Sequence, residues 1–124
     1  MKKLGPVAPP ASELQIYELH AEVCSALASP KRLQIIDLLG QSGEMTTSAL
    51  AEAMGIPPPN LSQHLAVLRQ RRMVTVRRDG PNAYYSIADR RVTEACGLMR
   101  EILLAQLEES GRLAGQFSAR RTSR

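Results

Sequence analysis

The chain has 124 residues, a length typical of one domain and too short for a second sizeable core. Apolar residues make up 44% of it but aromatic residues only 3%, so the core must be aliphatic, which favours packed helices over a large sheet. The net charge of +4 comes with no apolar run near the roughly 20 residues of a membrane span. Two cysteines without a secretory signal favour a reducing, cytoplasmic compartment over a disulfide framework.

Capping residues predict the first two helices. Ser12 and Gln15 form a capping-box pattern, and Ser29-Pro30 supplies an N-cap and a proline for the first helical position of the next helix. We expect this second helix to end at Gly40. Apolar residues of the first helix recur at helical spacing: Leu14, Tyr17, Ala21, Cys24, Leu27 and Ala28.

A pair of short helices is predicted next. Thr46 and Thr47 are caps for a helix over Ser48–Met54, which Gly55 closes. Three prolines follow, and a fourth helix is expected from about Pro59 to Arg71 because proline can enter a helix but not continue one. This helix buries three residues: Leu61, Leu65 and Leu68. Two short helices joined by a glycine-containing turn are typical of a helix-turn-helix.

A β-hairpin and a long helix complete the predicted domain. Residues 73–78 and 83–88 alternate as strands do, and residues 79–82 form the turn between them. The last helix is expected over residues 89–109, with a stripe of four apolar residues: Val92, Cys96, Met99 and Leu103. The fold class is therefore mainly α with a β-hairpin wing, in the order of four helices, hairpin and fifth helix. We expect this winged helix-turn-helix domain over residues 12–110, between a flexible arm (1–11) and a disordered basic tail (111–124).

Charge is distributed unevenly along the chain. Residues 57–91 carry seven arginines and two aspartates, a net charge of +5, whereas residues 11–56 carry a net charge of −4. A basic segment beside an acidic one indicates a focused site for a polyanion, although a solvated charged face would have the same composition.

The start of the fourth helix carries the residues typical of DNA readout. Asn and Gln side chains pair with adenine, Ser and His bind base or phosphate, and the N-terminal turn of a recognition helix enters the major groove. The positive end of the helix dipole also favours phosphate there, and arginines on the helix and wing are expected to neutralise the DNA backbone. The candidate DNA-binding residues are Asn60, Ser62, Gln63, His64, Arg69, Arg77, Arg78 and Asn82.

Four segments resemble the ArsR/SmtB family of bacterial repressors. They are Leu27-Ala28-Ser29-Pro30-Lys31-Arg32-Leu33, Leu50-Ala51 to Gly55, Asn60-Leu61-Ser62-Gln63-His64-Leu65-Ala66-Val67-Leu68-Arg69, and Arg77-Arg78-Asp79-Gly80 to Tyr84-Tyr85-Ser86-Ile87. The resemblance covers roughly residues 12–110. It implies a homodimer built from the first and last helices, an inverted-repeat operator in double-stranded DNA, and release from DNA when an inducer binds or oxidises the protein.

The sensing sites of that family are not reproduced here. Thr46 and Ser48 stand where one metal-binding branch has two cysteines, and hydroxyl groups are poor ligands for soft metals. A second branch has a histidine where this chain has Arg91. A persulfide-sensing branch has a cysteine where this chain has Asp37.

The two cysteines, Cys24 and Cys96, lie instead in the first and last helices. Three interpretations remain open: small core residues, a dithiol switch that responds to oxidants or reactive sulfur, or a site for a thiophilic ion completed by His20, which lies one turn before Cys24. No cofactor is otherwise implied.

Three other functions compete with that of an inducible repressor. An enzyme is not expected, because His20 and Cys24 lack a third orienting group. A winged helix for protein interaction would lack the polar recognition face. The third rival is a DNA-binding regulator without any sensor, which corresponds to cysteines that only pack the core.

Overall fold

The computed structural model describes residues 12–111. The predicted arm (1–11) and all but Gly111 of the predicted tail (111–124) lie outside the described residues. The elements follow the predicted order with one added strand: α1 (Glu13–Leu27), α2 (Pro30–Ser42), β1 (Met45–Thr46), α3 (Thr47–Met54), α4 (Pro58–Gln70), β2 (Val74–Asp79), β3 (Asn82–Ile87) and α5 (Arg90–Ser110). No helix among residues 12–111 is both long and apolar enough to span a bilayer.

The predicted caps at Ser12, Ser29 and Thr46 are confirmed, whereas Thr47, also predicted as a cap, is the first residue of α3. The Ser12 hydroxyl accepts from the Gln15 amide, and the Gln15 side chain accepts from the Ser12 amide, which completes the capping box. Ser29 and Thr46 likewise accept amide hydrogen bonds at the starts of α2 and α3. These bonds satisfy amides that lack a partner within the helix, so local sequence determines where each helix begins.

The prediction that the second helix ends at Gly40 is wrong. Helix α2 continues to Ser42, and Gly43 caps it with a φ of 89°. Gly40 lies inside α2, at the point where α5 packs against it. A Cβ at this position would lie 2.7 Å from Thr93 Cγ2. The glycine therefore permits a close approach of two helices rather than a helix end.

The sheet has three antiparallel strands in the order β1-β3-β2. The two-residue strand β1 was not predicted; Met45 pairs with Tyr85 and Thr46 with Tyr84. In the wing, Asp79 pairs with Asn82, so Gly80 and Pro81 form the tight turn. Gly80 has a φ of 62°, which is the reason a glycine is needed there. Strand β1 ties the base of the wing to the start of α3.

One core lies beneath α2, α3, α4 and β2. Its fully buried side chains are aliphatic: Ile35, Ile36, Leu39, Leu50, Leu61, Leu65, Leu68 and Val74. The predicted buried face of the fourth helix is confirmed by three of them. Each helix of the helix-turn-helix is thus anchored by its apolar face, which leaves its opposite face to solvent.

Helices α1 and α5 contribute little to this core. Ala26 is the buried residue of α1 and Leu104 that of α5. The predicted stripe on α5 divides, since Val92 and Cys96 pack against the core while Met99 and Leu103 are exposed. The large exposed apolar residues on the two helices are Leu14, Ile16, Tyr17, Leu19, Leu98, Met99, Ile102 and Leu103.

Candidate nucleic-acid interface

Helix α4 has two chemically different faces. Leu61, Leu65 and Leu68 are buried, while Asn60, Ser62 and Gln63 are exposed on the first two turns. Arg69 is also exposed, one to two turns further along. The structure therefore places three of the four predicted polar readers side by side at the solvent-facing start of the helix.

The first turn of α4 offers no amide to an anion. Pro57 is the N-cap without a side-chain hydrogen bond, and Pro58 and Pro59 have no amide hydrogen. The amides of Asn60 and Leu61 donate to the Pro57 carbonyl oxygen over 3.0 and 3.2 Å. The donors through which a helix N-terminus usually holds phosphate are thus missing or already used. Recognition at this end depends on side chains.

The fourth reader, His64, is not on the outward face as predicted. It is half-buried, and its Nδ1 lies 3.3 Å from a terminal nitrogen of Arg32 on α2. Burial, and secondarily the positive charges of Arg32 and Lys31, lower the pKa of the His64 ring below its ordinary value. The ring is therefore kept neutral, and it faces α2 with one nitrogen.

The end of α4 holds an arginine in an unusual conformation. Arg72 has a φ of 61°, the left-handed region that normally favours glycine. The Arg72 amide donates to the Arg69 carbonyl oxygen and the Met73 amide to the Leu68 carbonyl oxygen, each over 2.9 Å, which is the Schellman pattern of hydrogen bonds. These bonds fix the backbone of an exposed arginine between α4 and the wing, where arginines following the recognition helix are expected to neutralise phosphate.

The wing arginines differ in their partners. Arg77 forms two hydrogen bonds of 3.0 Å to the Glu44 carboxylate and lies 4.5 Å above the Tyr84 ring. The hydrogen bonds lower the pKa of Glu44 and raise that of Arg77, so both stay charged. Arg78 is exposed and, by strand alternation, lies on the other face of the hairpin. Asn82 is exposed next to the turn.

The seven arginines of the basic segment fall into two groups. Four are in ion pairs: Arg71 with Glu22, Arg77 with Glu44, Arg90 with Glu94, and Arg91 with Asp89. Bonds from Arg91 lower the pKa of Asp89 to about 2, so this pair persists in mild acid. Among residues 12–111, the arginines of this segment outside any ion pair are Arg69, Arg72 and Arg78, all exposed. The positive surface available to a polyanion is smaller than the composition indicated.

The candidate sensing residues differ in exposure and lie on two helices, α1 and α5. His20 and Cys24 are exposed on α1, whereas Cys96 is half-buried against the core. Burial raises the pKa of the Cys96 thiol. No three His, Cys, Asp or Glu residues of the described part of the chain are grouped as metal ligands. Cys96 thus packs against the core of the single chain, whereas Cys24 lies on an exposed face of α1.

A helix-turn-helix followed by a β-hairpin with exposed arginines defines a winged helix-turn-helix protein, a class that binds DNA. Residues 29–76 match the profile of a family described as bacterial regulatory protein, arsR family. The chain is 36% identical over 94 residues to the uncharacterized HTH-type transcriptional regulator Rv0081 of Mycobacterium tuberculosis, covering 76% of this chain and 82% of that protein. It is also 36% identical over 102 residues to the transcriptional repressor SmtB homolog of Synechocystis, covering 82% and 74%.

Solved structures agree. The crystal structure of Rv0081 superposes with a TM-score of 0.70 at 35% identity, covering 77% of this chain and 95% of that one. The solution structure of the homodimeric winged helix-turn-helix domain of Mb0332 from Mycobacterium bovis gives a TM-score of 0.68 at 31% identity, covering 83% and 90%. The chain belongs to the ArsR family of helix-turn-helix transcriptional regulators. The family resemblance and the fold class predicted from the sequence are confirmed, and the family is one of regulators, not enzymes.

Proposed function

We propose that the protein is a homodimeric transcriptional repressor that binds an inverted-repeat operator through α4 and the wing. The name of the Synechocystis relative supports repression, and the homodimeric Mycobacterium bovis domain supports the dimer. The proposal places the site of action in the cytoplasm, where the operator lies.

The observation that carries the proposal is the solvent-facing start of α4. Asn60, Ser62 and Gln63 are exposed there while the opposite face of the helix is anchored by fully buried leucines. Short and planar hydrogen-bonding groups on a rigid helix are suited to base edges in the major groove. Because the α4 amides are used or missing, we assign the phosphate contacts to the exposed arginines Arg69 and Arg78, with Asn82 at the wing tip. We add Arg72 to the residues that contact phosphate. We remove Arg77, because it is paired with the Glu44 carboxylate.

The dimer is supported by the apolar surface on α1 and α5. On α5, Leu98, Met99, Ile102 and Leu103 are between 51% and 61% exposed. Exposed apolar residues clustered along a helix mark an interaction site, because a soluble protein rarely leaves such a surface in water. A twofold axis through this apolar surface places two copies of α4 at half-sites about 34 Å apart, one turn of DNA.

We further propose that an inducer releases the repressor from its operator, as the family resemblance implies. An ion held by Cys24, Cys96 and His20 needs a contact between protomers, because no three His, Cys, Asp or Glu residues in the described part of one chain are grouped as metal ligands. The thiols of Cys24 and Cys96 are both free within one chain. A disulfide further requires the two Cα atoms to approach within about 7 Å. The alternative is a regulator in which neither cysteine responds to a signal.

The proposal is tested with DNA that the protein itself selects. Sequencing duplexes enriched from a random library by the wild-type protein should reveal an inverted repeat. Gln63→Ala should then lose roughly 1–3 kcal/mol of binding free energy on that duplex and relax base preference at one position in each half-site. Gln70→Ala is the matched control, since it removes the same exposed side chain from the last turn of α4. Equal losses for the two variants, or selection without an inverted repeat, would contradict the proposal.

A further inference from the structure

Arg32 joins three elements near the recognition helix. Its Nε donates to the Ala26 carbonyl oxygen over 2.6 Å, and its backbone amide donates to the Ser29 hydroxyl. Ala26 lies in the last turn of α1, where carbonyl oxygens have no partner within the helix, and the residue is buried. Arg32 therefore satisfies a polar group that would otherwise be costly to bury.

The same guanidinium reaches α4. Its terminal nitrogen lies 3.3 Å from His64 Nδ1. A guanidinium only donates, so Nδ1 must accept, and the ring proton of a neutral His64 then resides on Nε2. That nitrogen is separated from Nδ1 by one ring carbon, and the contact with Arg32 does not use it. The contact thus determines the tautomer of His64 as well as its orientation.

We propose that Arg32 is a positioning residue for DNA recognition: it fixes the first half of α4 to the C-terminal end of α1 and holds His64 as a neutral Nε2–H donor beside the exposed readers. The role of α4 in this inference rests on the proposed function. The ligand served by the His64 donor is an acceptor on DNA, a phosphate oxygen or a base edge, which the predicted set of readers had already assigned to this residue.

A second contact between α1 and α4 is weaker. Arg71, the C-cap of α4, pairs with Glu22 over 2.9 Å, but both side chains are 38% or more exposed. Ion pairs in such positions contribute little because water and salt screen them. The Arg32 bonds are partly buried and one of them satisfies a buried carbonyl, so we expect the Arg32 bridge to be the dominant polar link between the two helices. A link of this kind couples movement of α1, a helix of the proposed dimer interface, to the reading face.

The charges around His64 make its ring a direct reporter of the bridge. Arg32 and Lys31, both on α2, are the cations that lower its pKa, and on α1 Glu22 is paired with Arg71. The chain has only two histidines, so ¹⁵N-labelled full-length protein gives two ring systems, which His20→Gln assigns. We expect the His64 signals of an Nε2–H tautomer and a pKa below the ordinary histidine value. An Nδ1–H tautomer in the wild-type protein would overturn the inference.

Arg32→Lys keeps the positive charge but loses the planar fork that contacts two acceptors. We expect the His64 tautomer preference to disappear and affinity for the selected duplex to fall about tenfold. Lys31→Gln is the matched control: it removes the neighbouring cation and should leave the tautomer unchanged. An Arg32→Lys protein with the wild-type tautomer and affinity would refute the positioning role.

Substitutions of His64 test the role without altering Arg32. Gln offers both an acceptor and a donor, so His64→Gln should keep affinity within about threefold, whereas His64→Leu should lose about tenfold. Equal affinities for these two variants would overturn the inference even where Arg32→Lys fails to fold. Failure of the wild-type protein to select any duplex would instead count against the proposed function, and the tautomer would still decide whether the bridge exists.

Discussion

The helix-turn-helix with its wing, which we call the reading half, and the flank formed by α1 and α5 bury their apolar residues to very different extents. Helices α3 and α4 with β2 bury their main aliphatic side chains within one chain, for instance Leu50, Leu65 and Val74. The flank exposes residues of the same kind, for instance Tyr17 at 70% and Leu98 at 61%. Apolar periodicity is equally clear in α1 and α4, so periodicity alone does not tell whether a helix packs on its own chain or on a second one. The difference indicates that one chain is enough to build the reading half. The distance between two copies of α4 is set by the packing of two chains at the flank.

The largest expected effect comes from breaking the flank. Ile102→Asp places a carboxylate among the exposed apolar residues of α5, where the single chain loses little because Ile102 is 51% exposed. We expect a monomer in sedimentation at micromolar concentration. Operator affinity should fall by at least about 100-fold, since each half-site must then be bound independently. Circular dichroism should be unchanged.

The control for this variant is Glu101→Gln, which changes the charge of α5 at an exposed residue that helical periodicity places outside the apolar arc. It should remain a dimer. An Ile102→Asp protein that still sediments as a dimer would place the interface elsewhere and would remove the half-site geometry from the proposed function.

Gly40 lies where α2, which shares the core of the reading half, meets α5. We expect a substitution here to change the free energy of unfolding in opposite directions, depending on the residue at position 93. Gly40→Ala should lower the free energy of unfolding by about 1–3 kcal/mol, because its Cβ would lie 2.7 Å from Thr93 Cγ2 on α5. In a Thr93→Ala background the clash is gone, and the same substitution should stabilise by about 0.5–1 kcal/mol through better helix propensity. Urea unfolding at one protein concentration measures both. Destabilisation of equal size in the two backgrounds would show that the α2–α5 contact is not the cause.

Local chemistry accounts for the parts of this fold that the sequence predicts. The caps at Ser12, Ser29 and Thr46 depend on residues three positions apart, and the hairpin depends on a glycine at its turn. Local sequence does not predict the role of Gly40, because the residue that requires a glycine there is Thr93 on α5, 53 positions away in the chain. A sequence pattern shows that a glycine is present, but it does not show which helix comes close to it.

The arginines show the same limit at the candidate site. Arg77 and Arg78 are neighbours of identical type, and nothing local predicts that Glu44, from another part of the chain, takes one of them. Local sequence likewise predicts an outward-facing His64, because its partner Arg32 precedes it by 32 residues and is not part of the local pattern. The residue types at the start of α4 are predictable from the sequence, but the contacts of Arg77 with Glu44 and of His64 with Arg32 depend on the tertiary fold.

The third prediction concerns the two wing arginines. With Arg69, Arg72 and Arg78 on each protomer bound to phosphate, the logarithm of operator affinity should fall with the logarithm of salt concentration with a slope of about −5. Arg78→Ala should make that slope shallower by about 2, since the dimer loses two contacts. Arg77→Ala is the matched comparison and should change the slope by less than about 1, because Glu44 already neutralises it. Equal changes for the two variants would mean that DNA displaces Glu44 from Arg77.

The smallest effect is expected from the cysteines, and it compares the two regions most directly. Without any oxidant, Cys24→Ser and Cys96→Ser should each leave operator affinity within about twofold, because neither thiol lies on α4 or the wing.

The alkylation rates of the two cysteines should differ. In the monomeric Ile102→Asp protein, exposed Cys24 should react faster than Cys96, whose thiol is half-buried and has a raised pKa, so that less thiolate is present at neutral pH. In the wild-type dimer, slower reaction of Cys24 than in the monomer would place α1 in the interface, and an unchanged rate would leave α5 to form the interface without it. Treatment of the dimer with diamide, polysulfide or arsenite then tests the signal. A loss of operator affinity that either serine variant prevents supports a bridge between the two thiols. Full affinity after all three treatments identifies a repressor whose cysteines sense none of them.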